Sequence, residues 1–396
     1  MRVLLLCDRY PYPLQNGQNL RIYHYVRHLR NGHTFDLLCY GDTMPPEELK
    51  EFFEIIVHFP PPKAMRRRGL DRLRHILSVG HMFPSSPEVR AHLEHVLSEQ
   101  QYDVIWVSGW GMIVNVPTSG RRRLLADAVD DGVLEYWREL KQTRSVGRFL
   151  LMLKWLIMNY RFERRYFGPA ARCLFVSETD AEAFHWVCPE TPVSVVHNGV
   201  DERQFHATGL PIEPGTIVFE GNMNFRPNTD GIVTFCQDIL PRVRETMPNV
   251  RVIVVGMDPP PEVRALAAPS VEVTGFVDDV RPFVERGAVF ICPLRKGAGI
   301  KNKILQAWSM GKAVVATPAS AGGLKVQEGH NILIRPLFDG FAEAVVALLQ
   351  DPIRAAALGD AARKTVEQHY TWHQKAAELE KVMESIVAKA REHVDA

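Results

Sequence analysis

Residues 295–318 read Arg-Lys-Gly-Ala-Gly-Ile-Lys-Asn-Lys-Ile-Leu-Gln-Ala-Trp-Ser-Met-Gly-Lys-Ala-Val-Val-Ala-Thr-Pro. The apolar run Ala288–Pro293 before this stretch predicts a buried strand, and Asn302–Met310 has the spacing of a helix. Ala313–Thr317 then predicts the next buried strand. A strand, a glycine-containing loop, a helix and a strand in this order indicate one βαβ unit of a parallel sheet.

The loop of this unit combines glycines with cations. Gly297 and Gly299 let the backbone approach a ligand closely, and the helix N-terminus behind them favours a phosphate. Lys301 and Lys303 add positive charge at the same end, which helix packing alone does not require. The alternative is an ordinary βαβ turn whose glycines serve only its geometry.

Composition excludes several classes of protein. A chain of 396 residues predicts two or three domains, and a net charge of +1 does not indicate a nucleic-acid binder. The six cysteines are scattered without a CxxC pair or metal-ligand spacing, as in a reducing compartment. The longest apolar stretch, Phe149–Met158, has about half the length that spans a bilayer. These features predict a soluble, cytoplasmic protein without a bound metal or cofactor.

The first βαβ unit contains a long loop. Strand-like runs at Val3–Leu6 and Phe35–Cys39 enclose a helical pattern at Asn19–Arg30. Long loops at the carboxyl ends of parallel strands commonly bind ligands, so Gly17 and Arg21 in this loop and helix are candidate site residues. The alternative is an extended loop that only packs.

Two segments combine basic residues with apolar ones. Residues 60–82 contain a proline break followed by a basic amphipathic helix, and in residues 138–172 Lys and Arg alternate with Trp, Tyr and Phe. Such segments dock on anionic lipid headgroups or bind a phosphate-bearing acceptor. For residues 138–172 the alternative is one long helix with its apolar stripe in the core and a solvated basic face.

A change of pattern divides the chain. Residues 206–215 contain glycine and proline without periodicity and predict a linker, and βα units occur on both sides of it. The predicted fold is α/β, with two Rossmann-like, doubly wound parallel-sheet domains facing a cleft. The predicted domains are residues 1–205, residues 206–370, and a last helix, residues 371–396, that packs back on the first domain.

Several motifs together resemble the retaining glycosyltransferases of the GT-B fold, specifically glycosyltransferase family four. The resemblance spans nearly the whole chain, and its order and spacing are more specific than any single motif. An exopolysaccharide-associated subtype is suggested by Asp127, Asp130 and Trp137 together with Met-Asn-Phe-Arg-Pro-Asn228. The motifs are Gly17, Val176-Ser-Glu178, His197-Asn-Gly-Val-Asp201, Glu220-Gly-Asn-Met-Asn-Phe-Arg-Pro-Asn228, Val254-Val-Gly256, Thr274-Gly-Phe-Val277 and Gly299-Ile-Lys-Asn-Lys-Ile-Leu-Gln-Ala307.

The resemblance implies a nucleoside-diphosphate sugar as donor, held mainly by the second domain, and a lipid-linked or polysaccharide acceptor. Lys303, Lys301 and Arg226 are the cations expected to neutralise the diphosphate, without a metal. Asp127 is expected on the acceptor side, where it and His24 are the candidate general bases. The residues expected to bind the donor are Gly17, Gly221, Asn222, Gly297, Gly299, Ile300, Lys301, Asn302 and Gln306.

Two positions depart from the family pattern. Gln306 stands where the family usually has a glutamate that binds the donor ribose, and an amide is expected to weaken that contact by about 1 kcal/mol. Ala298 falls at the family's other glutamate, near the sugar. A catalytically weak GT-B subunit, which binds a donor or a partner without turnover, is therefore the alternative to an active enzyme.

Overall fold

The structure is a computed structural model that describes residues 1–14, 16–62, 82–143, 145–297 and 299–392. The chain divides into two compact units: unit 1 comprises Met1–His197 with Lys375–Ala396, and unit 2 comprises Asn198–Gln374. Each unit is built on a parallel sheet, which confirms the predicted α/β class with two Rossmann-like domains. The basic helix predicted after residue 62 and the predicted contribution of Ala298 lie outside the described residues.

The sheet of unit 1 has seven strands. The interior strand β1 is fully covered, with Val3–Leu6 at most 3% exposed, as a parallel sheet between layers of helices requires. The strands are β1 Arg2–Cys7, β2 Thr34–Tyr40, β3 Ile55–Phe59, β4 Val104–Ser108, β5 Leu124–Val129, β6 Arg172–Phe175 and β7 Val193–Val195. They pair in the order β3-β2-β1-β4-β5-β6-β7.

The helices of unit 1 begin at residues that the sequence marks as caps. Side-chain oxygens of Asn16, Ser86 and Ser177 each accept the backbone N–H three residues later, which satisfies one of the donors that a helix start leaves open. The helices are α1 Gly17–Leu29, α2 Glu47–Lys50, α3 Pro87–Glu99, α4 Gly132–Gln142, α5 Val146–Phe162 and α6 Glu178–Val187, with shorter turns at Ile113–Asn115, Thr118–Arg123 and Glu163–Phe167.

Residues 138–172 do not form one long helix. The chain leaves helical geometry at Thr143 and is still extended at Ser145, so that α4 and α5 form a helical hairpin. Both residues carry hydroxyls, which compete with helical backbone hydrogen bonds. The rings of Tyr136 and Trp155 stack between the two helices at a centroid distance of 6.0 Å. The long-helix interpretation is therefore wrong.

The sheet of unit 2 has six strands, β8 Glu213–Glu220, β9 Arg251–Val255, β10 Val271–Gly275, β11 Gly287–Cys292, β12 Val314–Ala316 and β13 Leu333–Ile334, in the order β10-β9-β8-β11-β12-β13. The following helices are α7 Arg226–Thr234, α8 Leu240–Thr246, α9 Pro261–Arg264, α10 Arg281–Arg286, α11 Asn302–Ser309, α12 Pro318–Ala321, α13 Phe341–Gln350, α14 Pro352–His369 and α15 Trp372–Glu392. In the described ranges no helix combines the length and the apolar character needed to cross a bilayer.

The first boundary between the units lies eight residues before the predicted one. Residues 198–210 belong to unit 2 because distant side chains and carbonyls hold their backbone. The carboxylate of Glu285 accepts the N–H groups of Thr208, Gly209 and Leu210 at 2.7–3.1 Å. These bonds connect positions more than seventy residues apart, so the composition of the predicted linker does not reveal them.

The last helix returns the chain to unit 1. Unit 1 contains this helix from Lys375 onward, and the ring of His33 lies 2.6 Å from the carboxylate of Glu380 within that unit. The sequence places this helix at residues 371–396, whereas the structure begins it at Trp372 and assigns its first residues to unit 2.

Candidate functional site

The carboxyl end of β8 carries a glycine that no other residue can replace without displacing its neighbours. Gly221 donates its N–H to the carbonyl of Val255 at 3.0 Å. A Cβ at Gly221 would lie 2.2 Å from Nζ of Lys303 and 2.8 Å from Nδ2 of Asn228. Glycine is needed here because two polar side chains pack directly against its backbone.

Lys303 projects from the first turn of α11 and is held by several contacts. Its Nζ donates to the carbonyl of Glu220 at 2.5 Å and to Oδ1 of Asn228 at 2.9 Å. The same ammonium lies 4.4 Å from the ring centroid of Phe219. Burial lowers the pKa of Lys303, while Cys292 and Glu220 oppose that shift. A cation is thus positioned at the end of β8 before any ligand binds.

Asn228 completes this network. The residue is 5% exposed, and its Nδ2 donates to the carbonyl of Asn222 at 2.8 Å while its Oδ1 accepts from Lys303. Because both ends of the amide form hydrogen bonds, Asn228 provides the Lys303 ammonium with a fixed acceptor in addition to the carbonyl of Glu220. Asn228 stands in the motif quoted above, but the sequence alone did not identify it as a site residue.

The loop before α11 is folded over its own backbone. Gly299 has φ +66°, a left-handed conformation that favours glycine, and its carbonyl accepts from Nζ of Lys301 at 2.9 Å. A Cβ at Gly297 would lie 3.1 Å from the Lys301 side chain. The glycines and Lys301 therefore form one compact turn that leads into the helix.

The base of the loop is tied to α12. Ser320 Oγ donates to the carbonyl of Cys292 at 2.7 Å and accepts the N–H of Leu294 at 3.2 Å. All three residues are buried. The loop consequently begins from a rigid point, and at its end the carbonyl of Lys301 accepts the N–H groups of Ile304 at 2.8 Å and Leu305 at 3.4 Å.

Three further predicted residues lie on this loop and helix. Ile300 is buried, with 9% exposure, and packs into the core of unit 2. Asn302 accepts a hydrogen bond from Nδ2 of Asn198 at 3.2 Å. Gln306 is half-buried and lies one helical turn after Asn302 and Lys303, so these three residues share one side of α11.

Arg226 and Asn222 are more exposed than Lys303. The Arg226 side chain is 81% exposed and lies 3.4 Å from the Glu262 carboxylate. Asn222 is exposed, and its Oδ1 accepts the N–H of Asn224 at 2.9 Å. The sequence grouped Lys303 and Arg226 together. The structure shows that they differ, because Lys303 is held by hydrogen bonds whereas Arg226 faces solvent.

In unit 1, Asp127 forms a buried ion pair with Arg21. Nε of Arg21 lies 3.1 Å from Oδ2 of Asp127, and neither side chain is exposed to solvent. The same guanidinium donates to the hydroxyl of Tyr25 at 3.0 Å and to the carbonyl of Val196 at 2.8 Å. This arrangement ties α1 to β5 and the end of β7. It gives Asp127 a structural role and no accessible oxygen for an acceptor.

The carboxylates of Asp131 and Glu163 also accept hydrogen bonds from the backbone of unit 1. Asp131 caps α4 by accepting the N–H of Leu134 at 2.5 Å, and burial raises its pKa to about 6. Glu163 accepts the N–H groups of Gly132 and Val133 at 3.2–3.3 Å. Asp127, which was expected on the acceptor side, and Asp131 therefore both stabilise the fold of unit 1.

The remaining unit 1 candidates occupy α1. Gly17 is the exposed first residue of that helix, whereas His24 is buried with 3% exposure. Sequence reasoning missed Asp8, whose carboxylate accepts the N–H groups of Gly111 at 3.0 Å and Met112 at 2.7 Å. Asp8 follows β1 directly, and that position is the signal that would have identified it.

Among the residues that the structure describes, no three His, Cys, Asp or Glu side chains form a group able to hold a metal ion.

Two family models match most of the chain between them. Residues 15–204 match the model described as Glycosyltransferase Family 4, and residues 214–351 match the model described as Glycosyl transferases group 1. Among relatives, the GDP-mannose-dependent alpha-(1-6)-phosphatidylinositol monomannoside mannosyltransferase of Mycobacterium tuberculosis is 27% identical over 344 residues, covering 80% of this chain and 84% of the relative.

Solved structures share the fold. A sucrose-phosphate synthase from Thermosynechococcus elongatus matches with a TM-score of 0.69 and 16% identity, covering 98% of this chain and 100% of its own. HepE from Anabaena, in complex with UDP, matches with a TM-score of 0.68 and 15% identity, covering 97% and 100% respectively.

Proposed function

Since the chain is a GT-B glycosyltransferase of the family-four type, we propose that it moves a sugar, with retention, from a nucleoside-diphosphate sugar to a lipid-linked or polysaccharide acceptor in cell-surface glycan synthesis. The observation that carries this proposal is the Lys303 network at the end of β8. The name of the mycobacterial relative, which specifies GDP-mannose and a phosphatidylinositol mannoside, supports a nucleotide-sugar donor and a lipid acceptor. The UDP bound to HepE supports the same class of donor.

The proposed chemistry follows from where charge develops. As the bond between the sugar and the diphosphate breaks, negative charge builds up on the leaving oxygen. Lys303 Nζ is already ordered by its hydrogen bonds and lies in the first turn of α11, so it meets that charge with little reorganisation. The acceptor hydroxyl then bonds to the sugar on the same face, and its proton passes to the leaving phosphate.

We expect a purified sample to release nucleoside diphosphate from one nucleotide sugar of a panel, at a rate that EDTA changes by less than about twofold. The reason is that Lys303, together with the helix N-terminus, supplies the charge that a metal supplies elsewhere. Product release is measured with and without EDTA. An activity lost in EDTA and restored by Mg²⁺ would overturn metal independence.

Gln306 favours a second candidate function. An amide at this position, on the same side of α11 as Lys303, weakens a contact that a carboxylate would make to two ribose hydroxyls. The second candidate is a subunit that binds a donor or a partner without turnover. Binding of a nucleotide sugar without product release, over the whole panel, would select this candidate.

We also propose that the α4–α5 hairpin docks on the anionic inner face of the cytoplasmic membrane. Large apolar side chains project into solvent from the start of α5, where Val146 is 76%, Phe149 42% and Leu150 60% exposed. Cations lie over neighbouring rings: Lys141 Nζ is 4.8 Å from the Trp137 ring centroid. Exposed apolar and basic groups on one surface suit the boundary between headgroups and acyl chains.

Two further features agree with docking of the α4–α5 hairpin on the inner face of the cytoplasmic membrane. A cavity of about 250 Å³ between the helices is walled by Val133, Trp137, Leu156, Ile157 and Tyr160, which are apolar or aromatic. All six cysteines are free thiols, as a reducing compartment favours.

Replacing Phe149 and Leu150 together by serine is expected to weaken binding to phosphatidylglycerol vesicles by about tenfold, because two apolar side chains no longer enter the hydrocarbon boundary. Co-sedimentation at low salt measures this change. The matched control is Ile353→Ser, which removes an apolar side chain that is 85% exposed in unit 2 and should leave binding unchanged. Equal effects of both changes would contradict the docking surface.

A further inference from the structure

A second basic site lies at the other edge of the unit 1 sheet. A cavity of about 360 Å³ opens at the amino ends of β5 and β6, beside the last turns of α15. Arg121, Arg122, Arg172 and Lys389 line it, and Pro192 and Ile386 contribute apolar wall. No carboxylate is among the residues that line it.

The cations of this cavity have no anionic partner within the described ranges of the chain. Among the described residues, none of the four forms an ion pair. Arg172 is held by a hydrogen bond from its guanidinium to Ser194 Oγ at 2.9 Å, yet its Nε is buried without an acceptor in the described part of the chain. Like charges gathered in a concave surface raise the local potential, and a bound anion lowers that cost.

The chemistry of the lining specifies the anion. Guanidinium groups match phosphate oxygens in a planar, bidentate arrangement, and a lysine adds a point charge. A volume of about 360 Å³ accommodates a small phosphorylated molecule or a lipid headgroup. We propose that this cavity is an anion-binding site for a phosphate-bearing ligand, separate from the sugar-transfer site.

The cavity is separate from the carboxyl edge of the unit 1 sheet because the full length of the strands lies between them. β5 begins at Leu124 beside the cavity and ends at Val129, near Asp131 and the start of α4. Six residues of parallel strand span about 17–20 Å, so the two edges cannot share one small ligand. The inference stands on unit 1 alone and does not depend on the proposed sugar transfer.

The binding of such a ligand has a structural consequence. The cavity joins two parts of unit 1 that are far apart in sequence, the segment at Arg121–Arg122 and the last turns of α15 at 385–390. A phosphate bridging them holds the end of α15 against the sheet. Ligand that binds only the native state also raises its stability.

The test uses inorganic pyrophosphate and the full-length protein. Calorimetry should give a dissociation constant that rises at least about tenfold in Arg122→Ala/Lys389→Ala, whose side chains are exposed, so that their removal should change the free energy of unfolding little. The control, Lys381→Ala/Arg391→Ala, removes the same charge from exposed positions of α15 and should change it less than about twofold. In the unsubstituted protein, pyrophosphate should slow amide hydrogen exchange at residues 385–390.

A second arm identifies the source of the phosphate. Dihexanoyl phosphatidic acid is compared with dihexanoyl phosphatidylcholine below their micelle-forming concentrations. Tighter binding of the phosphatidic acid than of pyrophosphate, sensitive to Arg122→Ala/Lys389→Ala, indicates a lipid headgroup, and equal binding indicates a soluble phosphate. If neither probe binds, or both double variants weaken binding alike, the proposed site is refuted. Sugar transfer is measured separately, so a failure here leaves that proposal intact.

Discussion

Lys303→Ala is expected to lower the rate of sugar transfer by about 10²–10³-fold, the loss typical for one ordered donor to a developing negative charge. The effect is large because Lys303 is half-buried and held by Glu220 and Asn228, so no other described side chain replaces it without rearrangement. Release of nucleoside diphosphate at saturating donor and acceptor measures the change in kcat.

Two further variants test whether the lower rate of sugar transfer results from the loss of the Lys303 ammonium. Lys296→Ala removes an exposed lysine from the same loop and should retain the rate within about twofold. Gly221→Ala places a Cβ 2.2 Å from the Lys303 ammonium and should reproduce the loss by displacing it. If Lys303→Ala transfers sugar at a rate within threefold of the unsubstituted enzyme, the proposed leaving-group role is wrong. Thermal melting of each variant separates lost activity from lost folding.

Arg21→Ala is expected to destabilise unit 1 by about 3–5 kcal/mol, because it leaves the carboxylate of Asp127 buried without its cation. For a unit of this size that loss corresponds to a fall in Tm of roughly 6–20 °C. Calorimetric unfolding measures it. Arg161→Ala changes an exposed arginine of the same unit and should shift the free energy of unfolding by less than about 0.5 kcal/mol.

The same pair distinguishes a structural from a catalytic Asp127. Arg21→Met combined with Asp127→Leu removes both charges, and we expect this double variant to be more stable than either single variant. Its rate per folded molecule should stay within about tenfold of the unsubstituted enzyme. A well-folded Asp127 variant that transfers no sugar would instead restore the general-base role expected from the sequence.

Much of the fold follows from local patterns. Apolar runs such as Val3–Leu6 and Ala288–Pro293 predicted interior strands of the two sheets, because strands covered on both faces are apolar throughout. The edge strand β3 was missed since its residues are only partly buried and carry a weaker pattern. The family resemblance predicted that Gly221, Gly297, Gly299 and Lys303 belong to one donor site, and the structure places Gly221 directly against Lys303.

Other features depend on partners that are distant in sequence. Lys303 meets Asn228 across 75 positions, and Arg21 meets Asp127 across 106. Periodicity indicates which face of an element is buried, but it does not indicate which distant polar group contacts that face. For that reason the sequence predicted only the residue types and approximate positions of the expected donor site, whereas the tertiary structure distinguished an ordered Lys303 from an exposed Arg226 and enclosed Asp127 in an ion pair.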